Sequence, residues 1–94
     1  MRGISEIAEV LARVRDPRLI AGFLASILTR RELAEVDGRW ELVKLLARGE
    51  SQRAIARRLG MSLCKITRGS RELKKRNSAF ARVLGEYQDI KKEG

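Results

Sequence analysis

The chain of 94 residues contains no histidine and a single cysteine, Cys64, and these shortages exclude several kinds of site. One chain cannot form a disulfide, a zinc site of cysteine and histidine ligands, or a catalytic pair of cysteine and histidine. The sequence also shows no pairing of a nucleophile with a base and no glycine-rich loop of the kind that cradles phosphate. It therefore predicts a protein that is not an enzyme and holds no metal.

Proline and aromatic side chains are scarce as well, with one proline and 4% Phe, Trp and Tyr. This scarcity disfavours a β-sandwich or barrel, whereas the abundant Ala, Leu, Arg, Lys and Glu favour helices. No apolar run approaches the roughly 20 residues that span a bilayer, and the N-terminus, which contains acids, does not look like a signal peptide. We expect an all-α cytoplasmic protein that contacts no membrane, with one domain over residues 1–94.

The net charge of +9 is concentrated in one segment of the chain. Residues 48–76 contain ten Lys or Arg and two acids, a net charge of +8, whereas the remainder has eleven basic residues against ten acids. Positive charge localised in this way is typical of a surface that contacts a polyanion such as DNA. A solvated basic face without a partner is the alternative interpretation.

Apolar spacing and capping residues predict six helices. The first is expected over about residues 4–15 and the second over 17–28, with Asp16 as its cap. The second helix is apolar on almost every side, which predicts deep burial, and another subunit is one candidate to cover it. In the sixth helix, Val83 and Ile90 are among the residues expected to face inward. The other predicted caps are Thr29, Ser51, Ser62 and Ser78.

The segment from about residue 51 to 76 has the pattern of a helix-turn-helix. Gly60 and Met61 stand at the turn between two short helices, and Ser62 precedes the second of them. In this motif the first turn of the second helix reaches base edges, while nearby basic and hydroxyl side chains contact phosphates. The predicted DNA-binding residues are therefore Gln52, Arg53, Arg57, Ser62, Leu63, Cys64, Lys65, Thr67, Ser70, Arg71 and Lys74.

The string ITRGS (Ile66–Ser70) makes this pattern more specific. With SQR, LG and ELK in register over residues 51–74, it resembles the signature of the tryptophan repressor family. LTRRE (Leu28–Glu32) and Arg39 extend the resemblance upstream, so that it covers about residues 17–76. The resemblance implies a six-helix intertwined homodimer that binds a double-stranded DNA operator and represses transcription when L-tryptophan binds as co-repressor.

The resemblance also implies a tryptophan site. Arg39 and Arg68 match the two arginines between which the indole lies, and guanidinium planes do stack on aromatic rings and attract carboxylates. Thr29 matches the threonine beside the ligand carboxylate, and Gly69 matches the glycine that lets the ligand approach the helix backbone. The implied site, including backbone carbonyls from the partner subunit, comprises Ile27, Leu28, Thr29, Arg39, Arg68, Gly69 and Glu72.

Two departures from the family pattern favour other interpretations. Glu72 stands where the family usually has a serine, and the junction before Ser51 is one residue shorter than in the best-known members. Both fit a ligand-independent DNA-binding regulator of the same superfamily. The helix-turn-helix and the charge alone would also suit a DNA-targeting module of the transposase or replication-initiator kind. For Arg39 and Arg68, the alternative to a ligand site is an ordinary surface position or an ion pair with a nearby glutamate (Glu35, Glu41 or Glu72).

Overall fold

The computed structural model describes residues 1–93, which form six α-helices and no strand. None of the helices in this range combines the length and apolar character that a membrane span requires. The helices are α1 (Arg2–Leu11), α2 (Pro17–Ile27), α3 (Arg30–Ala47), α4 (Gln52–Leu59), α5 (Leu63–Lys74) and α6 (Ala79–Glu93). The predicted all-α fold with six helices is confirmed.

The chain divides into two compact units whose boundary lies inside α3. The N-terminal unit comprises residues 1–36, and the C-terminal unit begins at Asp37. The first therefore contains α1, α2 and the beginning of α3. The second contains the rest of α3, the basic helices α4 and α5, and α6.

Side-chain caps determine where most of the helices begin. At the start of α3, the Thr29 N–H donates to Glu32 Oε1 (2.8 Å) and the Glu32 N–H donates to Thr29 Oγ1 (3.1 Å), which is a reciprocal capping box. The hydrogen bond from the Thr29 backbone, with that from its side chain, lowers the pKa of the Glu32 carboxyl. The other predicted caps are confirmed too, since N–H groups donate to the side chains of Asp16, Ser51, Ser62 and Ser78.

The predicted bounds of the first helix are wrong, because α1 begins at Arg2 and ends at Leu11. Beyond its end the chain forms tighter turns, in which the Val14 N–H donates to the carbonyl of Leu11 (3.2 Å). Asp16 is extended (φ −98°, ψ 107°) because Pro17 disfavours a helical conformation in the residue that precedes it. The apolar residues at helical spacing therefore continue past the point where the helix ends.

The predicted burial of α2 is also wrong for the single chain, in which none of its residues is buried. Leu19 and Ile27 are more than half exposed. An open apolar groove lies between α1 and α2, because two helices that pack together cover only one side of each other. Its lining residues are Glu6, Ile7, Val10, Leu11, Val14, Leu19, Ile20 and Phe23.

The core of the C-terminal unit brings α3, α4 and α5 together. Leu42 and Leu45 of α3 pack in one cluster with Ile55 of α4 and Ile66 of α5, and the two isoleucines are fully buried. Burying side chains of this size contributes about 1.5–3 kcal/mol each. This cluster holds the two basic helices in place against α3.

An aromatic cluster joins α6 to α3. Trp40 stacks on Phe80 with ring centroids 5.9 Å apart and meets Tyr87 edge to face at 5.7 Å. These contacts place the Trp40 ring between α3 and α6. The inward positions predicted for Val83 and Ile90 are wrong for the single chain, since they are 57% and 64% exposed. One chain covers only part of the apolar surface of α6.

Candidate functional site

The turn between α4 and α5 has the geometry of a helix-turn-helix. Gly60 ends α4 in the left-handed conformation (φ +64°), which glycine adopts without strain, and the Met61 N–H then donates to the carbonyl of Ala56 (3.1 Å). Met61 lies against Gly38 of α3, where an added Cβ would stand 2.7 Å from the Met61 Cε atom. The core and this contact hold the turn, and the opposite faces of α4 and α5 remain in solvent.

Most of the predicted DNA-binding side chains lie on the exposed surface of this motif. Leu63, Cys64 and Lys65 form the exposed first turn of α5, and Leu63 keeps 50% of its surface accessible. Several cations of the segment are exposed and form no salt bridge with any other described residue; these are Arg53, Arg57, Lys65, Arg71 and Lys74. Cations without a carboxylate partner are available to phosphate.

Three predicted contact residues lie in other surroundings. Ser70 is only 8% exposed, and burial argues against a contact between its hydroxyl and DNA. Gln52 and Thr67 are half-buried, and the Thr67 hydroxyl donates to Gln52 Oε1 over 3.1 Å. The sequence placed both residues near DNA but provided no indication that they contact each other.

An ion pair that the sequence pattern did not reveal joins the two ends of α4. Arg58 Nη1, in the last turn, donates to both carboxylate oxygens of Glu50 at 3.1 Å, and Glu50 immediately precedes the Ser51 cap. The pair is largely exposed, so it contributes about 1 kcal/mol at most. Its partners are eight positions apart across a helix start, a spacing that no simple periodicity predicts.

Arg68 lines an open groove along the outer face of α5. In this groove Lys75 Nζ donates to Glu72 Oε1 over 2.8 Å, which lowers the pKa of the Glu72 carboxyl, and the charge of Arg68 acts in the same direction. Arg39 is exposed on α3 and does not line the groove. The groove is lined by Leu63, Cys64, Thr67, Arg68, Arg71, Glu72 and Lys75.

Gly69 faces α3 through a close contact between helices. An added Cβ would stand 3.0 Å from Leu42 Cδ2 and 3.4 Å from Leu42 Cγ, closer than most side chains approach one another. The absence of a side chain therefore lets α5 pack tightly on α3. The contact lies one helical turn from Arg39 and next to Arg68. The remaining residues of the implied ligand site, Ile27, Leu28 and Thr29, belong to the N-terminal unit.

Comparison with known proteins identifies the family. The model of the family described as Trp repressor protein matches residues 2–88. The chain belongs to the Trp repressor family. Its relatives include proteins named Trp operon repressor homolog, and no solved structure matches the chain.

Two of these relatives show the extent of the similarity. The homolog from Chlamydia caviae is 34% identical over 83 residues, which are 87% of this chain and 82% of the relative. The homolog from Vibrio parahaemolyticus is 33% identical over 79 residues, which are 83% of this chain and 77% of the relative. The similarity therefore extends well beyond the helix-turn-helix, and the chain is a Trp repressor-like regulator.

Within residues 1–93, no group of three or more His, Cys, Asp or Glu side chains is arranged to hold a metal ion. The exposed side chains of the two basic helices are largely cations, the groups that contact phosphates.

Proposed function

We propose that this member of the Trp repressor family is a sequence-specific DNA-binding transcriptional repressor of the cytoplasm, activated for operator binding by L-tryptophan. The observation that carries the DNA-binding part is the surface of α4 and α5, where six exposed cations, namely the five above and Arg68, have no carboxylate partner among residues 1–93. These cations lie in and around the exposed first turn of α5, the part of a helix-turn-helix that enters the major groove.

In the proposed complex, the first turn of α5 reads bases. Leu63 contacts a thymine methyl group and Lys65 donates to the acceptors of a guanine, since these are the pairings that their chemistry allows in the major groove. The guanidinium groups of Arg53 and Arg57 on α4 contact phosphates and set the position of the protein on the duplex. Sequence preference and affinity thus come from different side chains.

The proposed repressor is a homodimer. The apolar groove between α1 and α2, together with exposed Val83 and Ile90 on α6, is more apolar surface than a stable small monomer leaves in water. A second copy of the chain is the proposed occupant, as the resemblance to the family implies. A dimer would present two reading helices to successive major grooves, about 34 Å apart.

L-tryptophan is the proposed co-repressor, with Arg68 and Arg39 enclosing its indole ring and Thr29 beside its carboxylate. Support comes from the exposure of both arginines, neither of which forms a salt bridge with another described residue. A ligand that binds the operator-competent arrangement more tightly shifts the population of the protein toward it. This would raise affinity for the operator without any contact between the ligand and the bases.

One observation favours the ligand-independent alternative. Glu72 already supplies a carboxylate to the groove that contains Arg68, and its hydrogen bond to Lys75 is short. An internal carboxylate can take the place of a ligand carboxylate near an arginine. In that case the protein would bind its operator equally well with and without amino acids.

Calorimetric titration with L-tryptophan, with L-tyrosine and L-phenylalanine for comparison, tests the co-repressor. The proposal predicts saturable binding near one tryptophan per chain and its loss in Arg68→Ala. The matched control is Arg82→Ala, which removes an exposed arginine from α6.

Duplexes selected from a random-sequence pool, with and without L-tryptophan, then test the DNA-binding part. Heat from none of the ligands, with sequence-selective DNA binding retained, would establish the ligand-independent alternative.

A further inference from the structure

The hydrogen bond between Thr67 and Gln52 joins the two helices of the helix-turn-helix. Thr67 lies in the second turn of α5 and Gln52 is the first residue of α4, and the bond between them is partly buried. Ile55 and Ile66, which are fully buried in one cluster, hold the same two helices together. The pair therefore links α4 to α5 at the edge of the motif, where the buried core meets the exposed basic surface.

The direction of this hydrogen bond determines which group of the Gln52 amide remains available to a ligand. The Thr67 hydroxyl donates its proton to the amide oxygen Oε1, so the acceptor of the amide is engaged, while its NH₂ group has no hydrogen-bond partner among residues 1–93. The two N–H groups on Nε2 are donors, and a donor pair held in one orientation suits an anionic oxygen. Arg53, the neighbour of Gln52, is exposed and has no salt-bridge partner among residues 1–93.

We infer that Thr67 is a positioning residue that orients the Gln52 amide, and that the Gln52 NH₂ group donates to a backbone phosphate of the bound duplex. Thr67 thus acts through Gln52 and does not itself contact DNA. This inference rests on the proposed DNA-binding function. It adds a neutral phosphate contact, whose strength depends on a hydrogen bond inside the protein, to the cationic contacts already described.

Substituting Gln52→Glu separates this role from a purely structural one. A carboxylate still accepts the hydrogen bond from Thr67, so the link between α4 and α5 remains, but it offers phosphate a negative charge where the amide offered donors. The control is Gln88→Glu, which changes the net charge equally at an exposed position on α6. We expect Gln52→Glu to weaken binding to a selected duplex by about tenfold or more relative to Gln88→Glu. Equal affinities would overturn the inference.

Variants of Thr67 test whether it acts through Gln52. Thr67→Val removes the hydroxyl at nearly constant volume and is expected to weaken DNA binding about fivefold, whereas Thr67→Ser retains the hydroxyl and stays within about twofold of the original. When Gln52→Ala is already present, Thr67→Val should weaken binding by less than about twofold more, as the double-mutant cycle of a coupled pair requires. Independent losses would show that Thr67 contacts DNA itself.

The salt dependence of binding identifies the chemistry of the contact. Since the Gln52 amide carries no charge, Gln52→Ala should lower affinity while leaving the slope of log K against log salt unchanged, whereas Arg53→Ala should reduce the slope by about 0.9. A slope reduced by Gln52→Ala would overturn the inference. Failure of the original protein to bind any duplex would instead overturn the proposed function, so the two failures are distinguishable.

Discussion

Gly69 of α5 and Leu42 of α3 are in contact at the point where these helices cross, and a Cβ at position 69 would stand 3.0 Å from Leu42 Cδ2. Leu42 is itself 2% exposed and belongs to the main core cluster, so its side chain has little room to move. The glycine in the interior of α5 is therefore part of the packing that holds α5 against α3. A glycine costs about 1 kcal/mol relative to alanine in a helix interior, and the close contact offsets that cost.

We predict that Gly69→Ala destabilises the protein. The added methyl group gains about 1 kcal/mol of helix propensity, but overpacking a filled core costs about 1–3 kcal/mol. The control is Gly85→Ala on α6, where an added Cβ would meet no atom within 4 Å and only the propensity gain applies. In urea denaturation, the unfolding midpoint of Gly69→Ala should be lower than that of the original protein, and the midpoint of Gly85→Ala should be higher. Equal stabilisation by both would contradict the role assigned to Gly69.

Alanine substitutions at Ile66 and Leu63 should have different effects, the first on folding and the second on DNA binding, although both residues lie on α5. Ile66 is fully buried, so Ile66→Ala should lower the free energy of unfolding by about 2–5 kcal/mol. Leu63 is half exposed in the first turn, so Leu63→Ala should change stability by no more than about 0.5 kcal/mol while altering the preferred DNA sequence. Denaturation and sequence selection measure the two effects. A large loss of stability in Leu63→Ala would show that Leu63 belongs to the core and does not serve to contact bases.

The capping box of α3 should make stability depend on pH. Hydrogen bonds from Thr29 lower the pKa of Glu32 in the folded protein, so its charged form stabilises the fold above the ordinary glutamate pKa of about 4.3. This contribution is lost as the pH falls through the lowered pKa. Glu32→Gln should therefore lose less stability than the original protein between about pH 6 and pH 3.

A second glutamate on the same helix provides the control for that measurement. Glu35 is exposed and has no side-chain hydrogen bond or salt bridge with another described residue, so Glu35→Gln should leave the pH dependence nearly unchanged. Urea midpoints at the two pH values measure the difference. If both glutamine variants lose stability as steeply as the original chain, Glu32 does not contribute to the acid sensitivity.

Arg57 should contribute to DNA binding through its charge. It is exposed on α4 without a salt-bridge partner among residues 1–93, and one lost phosphate contact reduces the slope of log K against log salt by about 0.9. Arg57→Ala should show this reduction, whereas Arg13→Ala, which removes an exposed arginine from the N-terminal unit, should change the slope much less. Titrations at several salt concentrations measure it. Equal slopes for the two variants would place Arg57 outside the interface.

Helix starts were the most predictable feature of the fold, because capping is a local interaction. Thr29 and Ser62 were recognisable as caps from the residues that follow them, and the structure places hydrogen bonds on both. The end of α1 was not predictable from apolar spacing alone. Val14 continues that spacing, but the chain has already left the helix as it approaches Pro17.

For the candidate site, the sequence located the surface better than it described the contacts within it. The exposed first turn of α5 lies where the helix-turn-helix pattern predicted, and the local charge was visible as well. Whether Gln52 meets solvent or Thr67 depends on how α4 and α5 pack. A contact between residues fifteen positions apart cannot be predicted from a single sequence, because neither periodicity nor composition depends on which side chains touch.

The sequence by itself determined that the chain is helical, where its caps lie, that its positive charge gathers in residues 48–76, and which family it resembles, since these follow from local propensity and motif. Which apolar residues are buried, and how the polar ones pair, follows only from the packing of the helices. This packing buried Ser70 and left Val83 in solvent, and it brought Gly69 onto Leu42. Burial and pairing depend on which surfaces meet, and that is a property of the packed helices.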